Sequence, residues 1–297
     1  EGISQVILPD GRVMPLPAWI AAAPAAVLGP GYDGRSAAAG VLVKFLDSSI
    51  RLHMQCHPTA EFALKHFGVN AGKTEGYYIL GCREEVEPYI YLGFQRQPEK
   101  SEFRRSIVEQ DIPALLSGFD RITIKPGDAF IVPGGVPHAI GEGIFMVEIM
   151  EPTDFAVRIE FEREGIVLPE PARFMKRDVD FALSLFDFRA RSEEETRQAF
   201  FAEPLLLAEN GAGKHWSVLD ERHSRCFRLE TLELGKGKFT LATKALQLLV
   251  VTAGEGAVIC GDTRIELKYA DRVLLPAAAL PVRVETRSNL KLAIARR

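Results

Sequence analysis

The stretch from residue 125 to 139 reads KPGDAFIVPGGVPHA, and its order of apolar, turn-forming and histidine residues decides the fold. A short apolar run, Ala129 to Val132, leads into the glycine- and proline-rich run 133–137 and then His138. Glycine and proline allow the backbone to turn sharply and fix its path. The stretch therefore predicts a strand, a tight turn, and a histidine held firmly on the next strand.

Short runs of β-branched and aromatic residues dominate the rest of the chain and predict a mainly β protein. They lie at 41–46, 77–80, 89–94, 129–132, 144–147, 246–252 and 257–260. Because Gly, Pro and Asp interrupt them, they favour a sandwich or barrel over a parallel α/β sheet. Capping residues and composition predict a few helices at 16–28 (interrupted by Pro24), 59–67, 101–109, 111–116, 180–186 and 193–201.

The spacing of the opening stretch recurs near the end of the chain. Glycine, proline, glycine and histidine at 127, 133, 135 and 138 correspond to Ala270, Pro276, Ala278 and Pro281. This predicts an internal repeat whose second copy has lost its histidine. We expect a first β domain over 1–163 with a helical insert around 101–117, a connector with helical segments over 164–223, and a second β domain over 224–297.

The composition excludes several classes of protein. The chain has 297 residues, 47% of them hydrophobic and 26% charged, and a net charge of −4. It has no dense Lys/Arg stripe for nucleic acid and no apolar run of the ~20 residues that span a bilayer. Its four cysteines form no C-x-x-C pair, and its start does not resemble a signal peptide. We expect a cytoplasmic enzyme or binding protein, without a disulfide framework.

The segment Arg51 to Pro58 carries polar residues at every second position. If it is a strand, His53, Gln55 and His57 share one face. Such a face either meets solvent or binds a metal ion. Two further residues can be explained without a metal. Glu75, at the start of a strand, can be a solvated carboxylate, and His138 can be a structural histidine.

Taken together, Gln55, His57, Glu75 and His138 suit a borderline divalent ion that keeps open positions for water or substrate. Zinc fits best, and iron, manganese, cobalt and nickel tolerate the same ligands. The ligand types alone do not choose the metal.

Several ordered motifs resemble the type I phosphomannose isomerase family of the cupin superfamily. They are Gln55 to Pro58, Gly72 to Glu75, Lys125 to Asp128 and Pro133 to Ala139, and the likeness runs over 19–163 and more weakly over the C-terminal block. The resemblance implies two cupin (double-stranded β-helix or jelly-roll) domains, the second without metal. It also implies a zinc ion on Gln55, His57, Glu75 and His138, and a sugar phosphate as the small-molecule substrate.

The resemblance further implies roles for residues around the metal. Lys73 matches a lysine of the family's active site, and Glu148, Asp154 and Arg158 match acidic positions and an arginine after the last ligand. An aldose–ketose isomerase moves a proton between C1 and C2 through a cis-enediol, and this step needs a base. Lys73, Glu148 and, less usually, His53 are the candidates, while Arg158 would neutralise the enediolate or hold the distal end of the sugar.

Two positions depart from the family pattern at the phosphate end of the substrate. His53 stands where a serine is usual, and Glu164 where a basic residue often lies. They favour an alternative, an isomerase of an unphosphorylated sugar, although His53 and Asp154 still match positions that would bind substrate. A non-catalytic sugar-binding or regulatory protein with a bound metal is a second alternative. A dioxygenase is a third, and Gln55 argues against it because such sites use more histidines.

Overall fold

A computed structural model describes residues 3–30, 38–241, 245–279 and 281–297. The prediction of a mainly β protein is confirmed. The strands, in chain order, are β1 (Gln5–Ile7), β2 (Val13–Pro15), β3 (Leu42–Asp47), β4 (Gln55–Cys56), β5 (Glu75–Cys82), β6 (Tyr89–Leu92), β7 (Ile122–Thr123), β8 (Ala129–Val132), β9 (His138–Ile140), β10 (Ile144–Met150), β11 (Val157–Arg158), β12 (Glu162–Arg163), β13 (Ile166–Val167), β14 (Leu205–Asn210), β15 (Gly213–Leu219), β16 (Arg228–Leu234), β17 (Gly237–Leu241), β18 (Gln247–Gly254), β19 (Gly256–Cys260), β20 (Thr263–Leu267), β21 (Arg272–Leu275), β22 (Val282–Thr286) and β23 (Leu290–Arg296).

Short helices accompany the strands. They are α1 (Leu16–Ala22), α2 (Pro24–Leu28), α3 (Ala60–Phe67), α4 (Lys100–Glu109), α5 (Ile112–Leu116), α6 (Val179–Leu183) and α7 (Glu193–Phe200), with 3₁₀ turns at Glu170–Ala172 and Ala277–Ala279. None of the helices in the described residues is long and apolar enough to cross a membrane.

Residues 42–203 form one compact unit. A four-stranded antiparallel sheet has the order β3-β10-β5-β8, and a five-stranded sheet has the order β11-β4-β9-β6-β7. A core that includes Met54, Cys56, Tyr91 and Phe94 also contains apolar residues of α4, α5 and α6. The helices thus cover the apolar side chains in and next to β4 and β6. This packing fixes the backbone that carries Gln55 and His57.

Residues 1–41 and 204–297 form a second compact unit. Its sheets have the orders β14-β15-β16-β23-β18-β21 and β17-β22-β19-β20, and leucine, valine and isoleucine side chains from both sheets share one core. The three-part division expected from the sequence, with boundaries at 163 and 223, stays a prediction. The compact units divide the chain elsewhere, because the first 41 residues group with the C-terminal strands and 164–203 with the first sheets.

The two units repeat the same local geometry around the opening motif. In the first, Asp128 Oδ2 accepts the Lys125 N–H at 3.0 Å, and in the second Asp271 Oδ2 accepts the Lys268 N–H at 2.9 Å. Gly127 and its counterpart Ala270 both have positive φ, 92° and 66°. The repeat read from the sequence is therefore present in the backbone. It extends to strand pairing, because β5 pairs with β8 in the first unit as β18 pairs with β21 in the second.

Two helix starts differ from the prediction. Ser101 does not cap α4: Glu99 does, and its carboxylate accepts the Glu102 N–H at 2.8 Å. The helix predicted at 180–186 begins at Val179, because the Asp178 side chain caps it through the Phe181 N–H at 2.7 Å. By contrast, Thr59 caps α3 as predicted. In both misplaced starts a carboxylate earlier in the chain reaches the first turn.

The predicted strand from residue 53 to 57 is shorter than expected. Only Gln55 and Cys56 pair with neighbouring strands, opposite His138 and Val157. Met54 and Cys56 are fully buried, as the alternation requires. His53, however, lies before the paired residues and its Nε2 is 3.3 Å from the carbonyl oxygen of Ile166.

A buried ion pair stabilises the entry to β4. Arg51 and Glu160 are 3% and 1% exposed, and Arg51 Nη1 donates to Glu160 Oε2 at 2.6 Å. The same carboxylate accepts the Met54 N–H at 2.7 Å. Arg51 is thus committed to this pair and is not a free cation for a phosphate group.

Replacing Arg51 by Met should lower the free energy of unfolding by about 3–5 kcal/mol, because Glu160 would be left buried without a counter-charge. Burial acts to raise the pKa of Glu160, but Arg51 holds it below its usual range, so the pair stabilises the fold at neutral pH and this contribution is lost as the pH falls below about 4.5. Urea unfolding at pH 7 and pH 4 measures both effects. Recovery of most of the loss in the double variant R51M/E160M is expected, and a loss under 1 kcal/mol in the single variant would contradict the account.

Candidate metal centre

Three buried side chains from the two sheets of residues 42–203 converge on one point. His57 follows β4 directly, Glu75 begins β5 and His138 begins β9. Each is at most 1% exposed. One ligand atom from each lies within 4.8 Å of the others, and among the described residues this is the group that could hold a metal ion.

Backbone carbonyls fix the tautomers of both histidines. The Nδ1 atom of His57 lies 2.8 Å from the Phe155 carbonyl oxygen, and that of His138 lies 3.0 Å from the Val136 carbonyl oxygen. A carbonyl only accepts, so each Nδ1 carries the proton and donates it. In the neutral rings the Nε2 atoms therefore present lone pairs, which is the arrangement that metal-ligating histidines use.

These lone pairs face the carboxylate of Glu75. His57 Nε2 is 3.2 Å from Oε1, and His138 Nε2 is 3.3 Å from Oε2. Burial lowers the pKa of His57 to about 4, so this imidazole is neutral at pH 7. Neither His57 Nε2 nor Glu75 Oε1 makes a hydrogen bond, although Lys73 Nζ lies 3.1 Å from Oε1 as an ion-pair partner. A cation between a buried imidazole lone pair and a carboxylate oxygen stabilises both acceptors, and the residues present therefore fit a divalent metal.

Gln55 brings an amide to the same cluster. It lies directly opposite His138 in the pairing of β4 with β9, and its Nε2 is 3.3 Å from His138 Nε2. A 180° rotation of the amide group would turn its oxygen toward the cluster. The four predicted ligands thus lie together where β4 ends and β5 and β9 begin.

Lys73 contacts the cluster through Glu75. Its Nζ lies 3.1 Å from Glu75 Oε1, and its side chain is 9% exposed. The ammonium group offsets the negative charge of the carboxylate and places a nitrogen donor directly beside a predicted metal ligand.

Tyr77 is a residue that the sequence reasoning missed. Its hydroxyl donates to Glu75 Oε2, and it faces Glu148 across the pairing of β5 with β10. Burial raises its pKa well above the usual range, so the phenol stays protonated and is a hydrogen-bond donor. The period of two along β5 could have found it, because Glu75 and Tyr77 share a face.

Glu148 is 5% exposed and lies beside this pair. Burial, reinforced by the negative charge of Glu75, raises its pKa. Lys44 provides the opposing charge, with Nζ 3.7 Å from Glu148 Oε2. A buried carboxyl with a raised pKa can hold or release a proton nearer to neutral pH than an exposed one.

Arg158 lies opposite Gln55 where β11 pairs with β4, and the charge of Glu75 acts on its guanidinium. Its Nη1 also donates to the Ala172 carbonyl oxygen at 3.3 Å, and the charge of the exposed Asp154 acts on the same group. The ring of His53 contacts Ile166 instead, and burial lowers its pKa. Hence the structure brings Lys73, Glu148 and Arg158 beside the cluster, while Asp154 acts on Arg158 and His53 contacts Ile166.

The repeat explains the absence of a second cluster of this kind in the described residues. Glu75 pairs with Val132, the residue before Pro133, and Gln247 pairs with Leu275, the residue before Pro276. Gln247 thus occupies the position of Glu75, as Pro281 occupies that of His138. A neutral amide and a proline replace a carboxylate and an imidazole, and neither replacement supplies a strong ligand.

Comparisons with known proteins find sequence relatives that are named mannose-6-phosphate isomerases. No protein-family model matches the chain. A probable mannose-6-phosphate isomerase of Bacillus subtilis is 39% identical over 119 residues, which are 40% of this chain and 36% of that protein, so this match spans about a third of the relative's length. The mannose-6-phosphate isomerase of Streptococcus mutans is 28% identical over 246 residues, 82% of this chain and 70% of the relative.

Solved structures show the same fold. The mannose 6-phosphate isomerase of Bacillus subtilis superposes with a TM-score of 0.75 at 21% identity, covering 97% of this chain and 82% of that one. A mannose 6-phosphate isomerase solved with zinc bound has a TM-score of 0.75 at 15% identity, covering 99% of this chain and 88% of that one.

Proposed function

We propose that the chain is a member of the type I phosphomannose isomerase family and a zinc-dependent aldose–ketose isomerase that interconverts mannose 6-phosphate and fructose 6-phosphate. The observation that carries the proposal is the buried cluster in which the Nε2 atoms of His57 and His138 lie 3.2 and 3.3 Å from the Glu75 carboxylate, and in which His57 Nε2 has no hydrogen-bond partner. Two imidazoles, a carboxylate and an amide form a ligand set that suits zinc.

In this proposal, His57, Glu75, His138 and Gln55 hold the ion. When bound, zinc acts as a Lewis acid toward the oxygens of the sugar. Tyr77 donates to Glu75 Oε2 and so fixes the carboxylate plane. The carbonyls that accept from the Nδ1 atoms of the two histidines fix the imidazole rings in the same way.

We assign the proton transfer between C1 and C2 to Lys73 and Glu148. Both are buried polar groups joined to Glu75, Lys73 by an ion pair and Glu148 through Tyr77. Glu148 can take up the C2 proton and return it to C1, and the Lys73 ammonium group can donate to the enediol oxygens as negative charge develops there. Arg158 holds the distal end of the sugar or its phosphate in this scheme, with His53 and Asp154 as further contacts to the substrate.

The finer architecture belongs to the same proposal. We assign each compact unit a cupin domain, with the metal in the first and none in the second. The partner is a small-molecule sugar phosphate, with no nucleic acid or membrane involved, and the location is cytoplasmic.

An isomerase of an unphosphorylated sugar is the second candidate. His53 has a lowered pKa through burial and is therefore neutral at pH 7, and Glu164 is exposed and acidic. Neither supplies a cation for a phosphate group. Turnover of free mannose at a kcat/KM equal to or above that for mannose 6-phosphate would favour this candidate and remove the phosphate from the proposal.

Replacing Lys73 by Ala should lower kcat by about 10²–10⁴-fold, the usual contribution of a positioned acid or base. Replacing Arg158 by Ala should raise KM for the phosphorylated sugar more than it lowers kcat, because a contact at the distal end acts in binding. Zinc content is measured for each variant, and K65A, which changes an exposed lysine of α3, is the control. Unchanged turnover in both variants with full zinc content would remove these roles.

A further inference from the structure

The loop that enters β5, Gly72 to Thr74, carries Lys73 and leads directly into Glu75. The position of this loop therefore determines where both Lys73 and Glu75 lie in the candidate site. We propose that Glu151, which follows β10, is the positioning residue that holds this loop in register with the metal centre. The expected effect of Glu151 on turnover rests on the proposed function. Its expected effect on zinc affinity rests only on the ligand set of Gln55, His57, Glu75 and His138.

The carboxylate of Glu151 spans the loop. Oε1 accepts the Gly72 N–H at 3.2 Å and Oε2 accepts the Thr74 N–H at 2.8 Å. The backbone N–H of Glu151 donates to the Thr74 carbonyl at 3.1 Å. Both backbone groups of Thr74 thus depend on this one residue, and its side chain is 8% exposed, so water does not readily replace these bonds.

Thr153 completes the clamp on the same side. Its hydroxyl donates to the Gly72 carbonyl at 2.6 Å, and its N–H donates to the Glu151 carbonyl at 2.8 Å. The short turn from Glu151 to Thr153 therefore binds Gly72 through both its N–H and its carbonyl group.

The opposite side of the loop packs against the backbone that follows His57. The Lys73 N–H donates to the Pro58 carbonyl at 3.1 Å. A Cβ on Gly72 would lie 2.7 Å from both the Pro58 oxygen and the Ala60 nitrogen. The loop is thus held between the Pro58 backbone, which it approaches closely, and Glu151, which binds its N–H groups.

This arrangement gives Glu151 a role that its own position does not suggest. Its described hydrogen bonds go to Gly72, Thr74 and Thr153, and none of them joins it to His57, Glu75 or His138. A carboxylate offers two acceptors for two backbone donors, whereas an amide offers one acceptor and sets an NH₂ group against the other donor. Glutamine has nearly the same shape as glutamate, so E151Q tests the hydrogen bonds with little change in volume.

The test compares E151Q with E195Q, because Glu195 also accepts a backbone N–H, from Ser192 at 2.8 Å, within the capping box of α7 and away from the site. Zinc affinity is measured without sugar by competition with a chromogenic chelator. We expect E151Q to bind zinc about 10–100-fold more weakly than E195Q, as changes around metal ligands typically do. With zinc saturating, kcat should fall about tenfold and KM should stay within about twofold.

A second variant keeps the proposal testable if E151Q fails to fold. T153V removes only the hydroxyl bond to Gly72 and should weaken zinc binding about three- to tenfold, whereas T153S should restore it. Zinc affinities of E151Q and T153V within twofold of E195Q would overturn the proposal. If the wild-type protein isomerises no sugar, the proposed function fails, while the zinc affinities still decide the role of Glu151.

Discussion

Replacing Glu75 by Gln should weaken zinc binding by more than about 100-fold, which exceeds the effect usual for residues behind the ligands. The carboxylate is the anionic member of the cluster, and it is 3.2–3.3 Å from both Nε2 atoms. The amide of glutamine carries no charge and would turn an NH₂ group toward one histidine or toward the Tyr77 hydroxyl.

The isomerase activity of E75Q should fall because the variant binds less zinc. If the ion contributes about 4 kcal/mol to the barrier, a range typical of metal catalysis, turnover should drop on the order of 10³-fold. Chelator competition and the rate of isomer formation measure the two effects on the same sample. E142Q is the control, because Glu142 is an exposed carboxylate in the turn between β9 and β10. Full zinc affinity in E75Q would show that the ion binds elsewhere.

Replacing Gly134 by Ala should both destabilise the protein and disturb the metal centre. A Cβ at this position would lie 2.5 Å from the Pro58 oxygen and 2.6 Å from the Thr59 nitrogen. These are backbone atoms that cannot rotate away, so the segment after His57 must shift. We expect a loss of about 1–3 kcal/mol in the free energy of unfolding, the usual cost of overpacking, together with about tenfold weaker zinc binding.

The matched control is G81A. Gly81 also lies in residues 42–203, near the end of β5, and a Cβ there would meet nothing within 4 Å. Urea unfolding and chelator competition are compared for the two variants at pH 7. If G134A is as stable as G81A and binds zinc as well, then the close approach of Gly134 to Pro58 does not position His57.

The sequence predicted the residues of the cluster better than it predicted their surroundings. Gln55, His57, Glu75 and His138 could be found because turns and strand starts place them, and turn chemistry is local. Asp128 and Asp271 cap equivalent turns at the spacing that the repeat had suggested.

What the sequence could not predict depends on contacts between distant segments. Glu151 binds backbone amides of residues 72 and 74, and no pattern of residue types marks such a bond. The alternation that placed His53 beside Gln55 failed because only two residues of that segment pair in a sheet. Arg51 could not be assigned from the sequence because its partner, Glu160, lies more than a hundred residues away.

The division of the chain shows the same limit. Residues 1–41 group with 204–297, although no motif in those first residues points to the C-terminal strands. Ile20 and Val27 of α1 and α2 pack against Leu246 and Leu274, and apolar helix residues carry no mark in the sequence of the distant segment that they contact. The fold class was therefore accessible from residue patterns, whereas the compact units were not.

One measurement tests the central claim most directly. The zinc-loaded protein is incubated with mannose 6-phosphate in ²H₂O, and NMR follows both fructose 6-phosphate and deuterium at C1 or C2, with H138A as the metal-site control. We expect isomer formation with exchange of the transferred proton in the wild-type protein, and neither in H138A. Stoichiometric zinc in the wild-type protein with no isomer and no exchange, from mannose 6-phosphate or free mannose, would contradict the account.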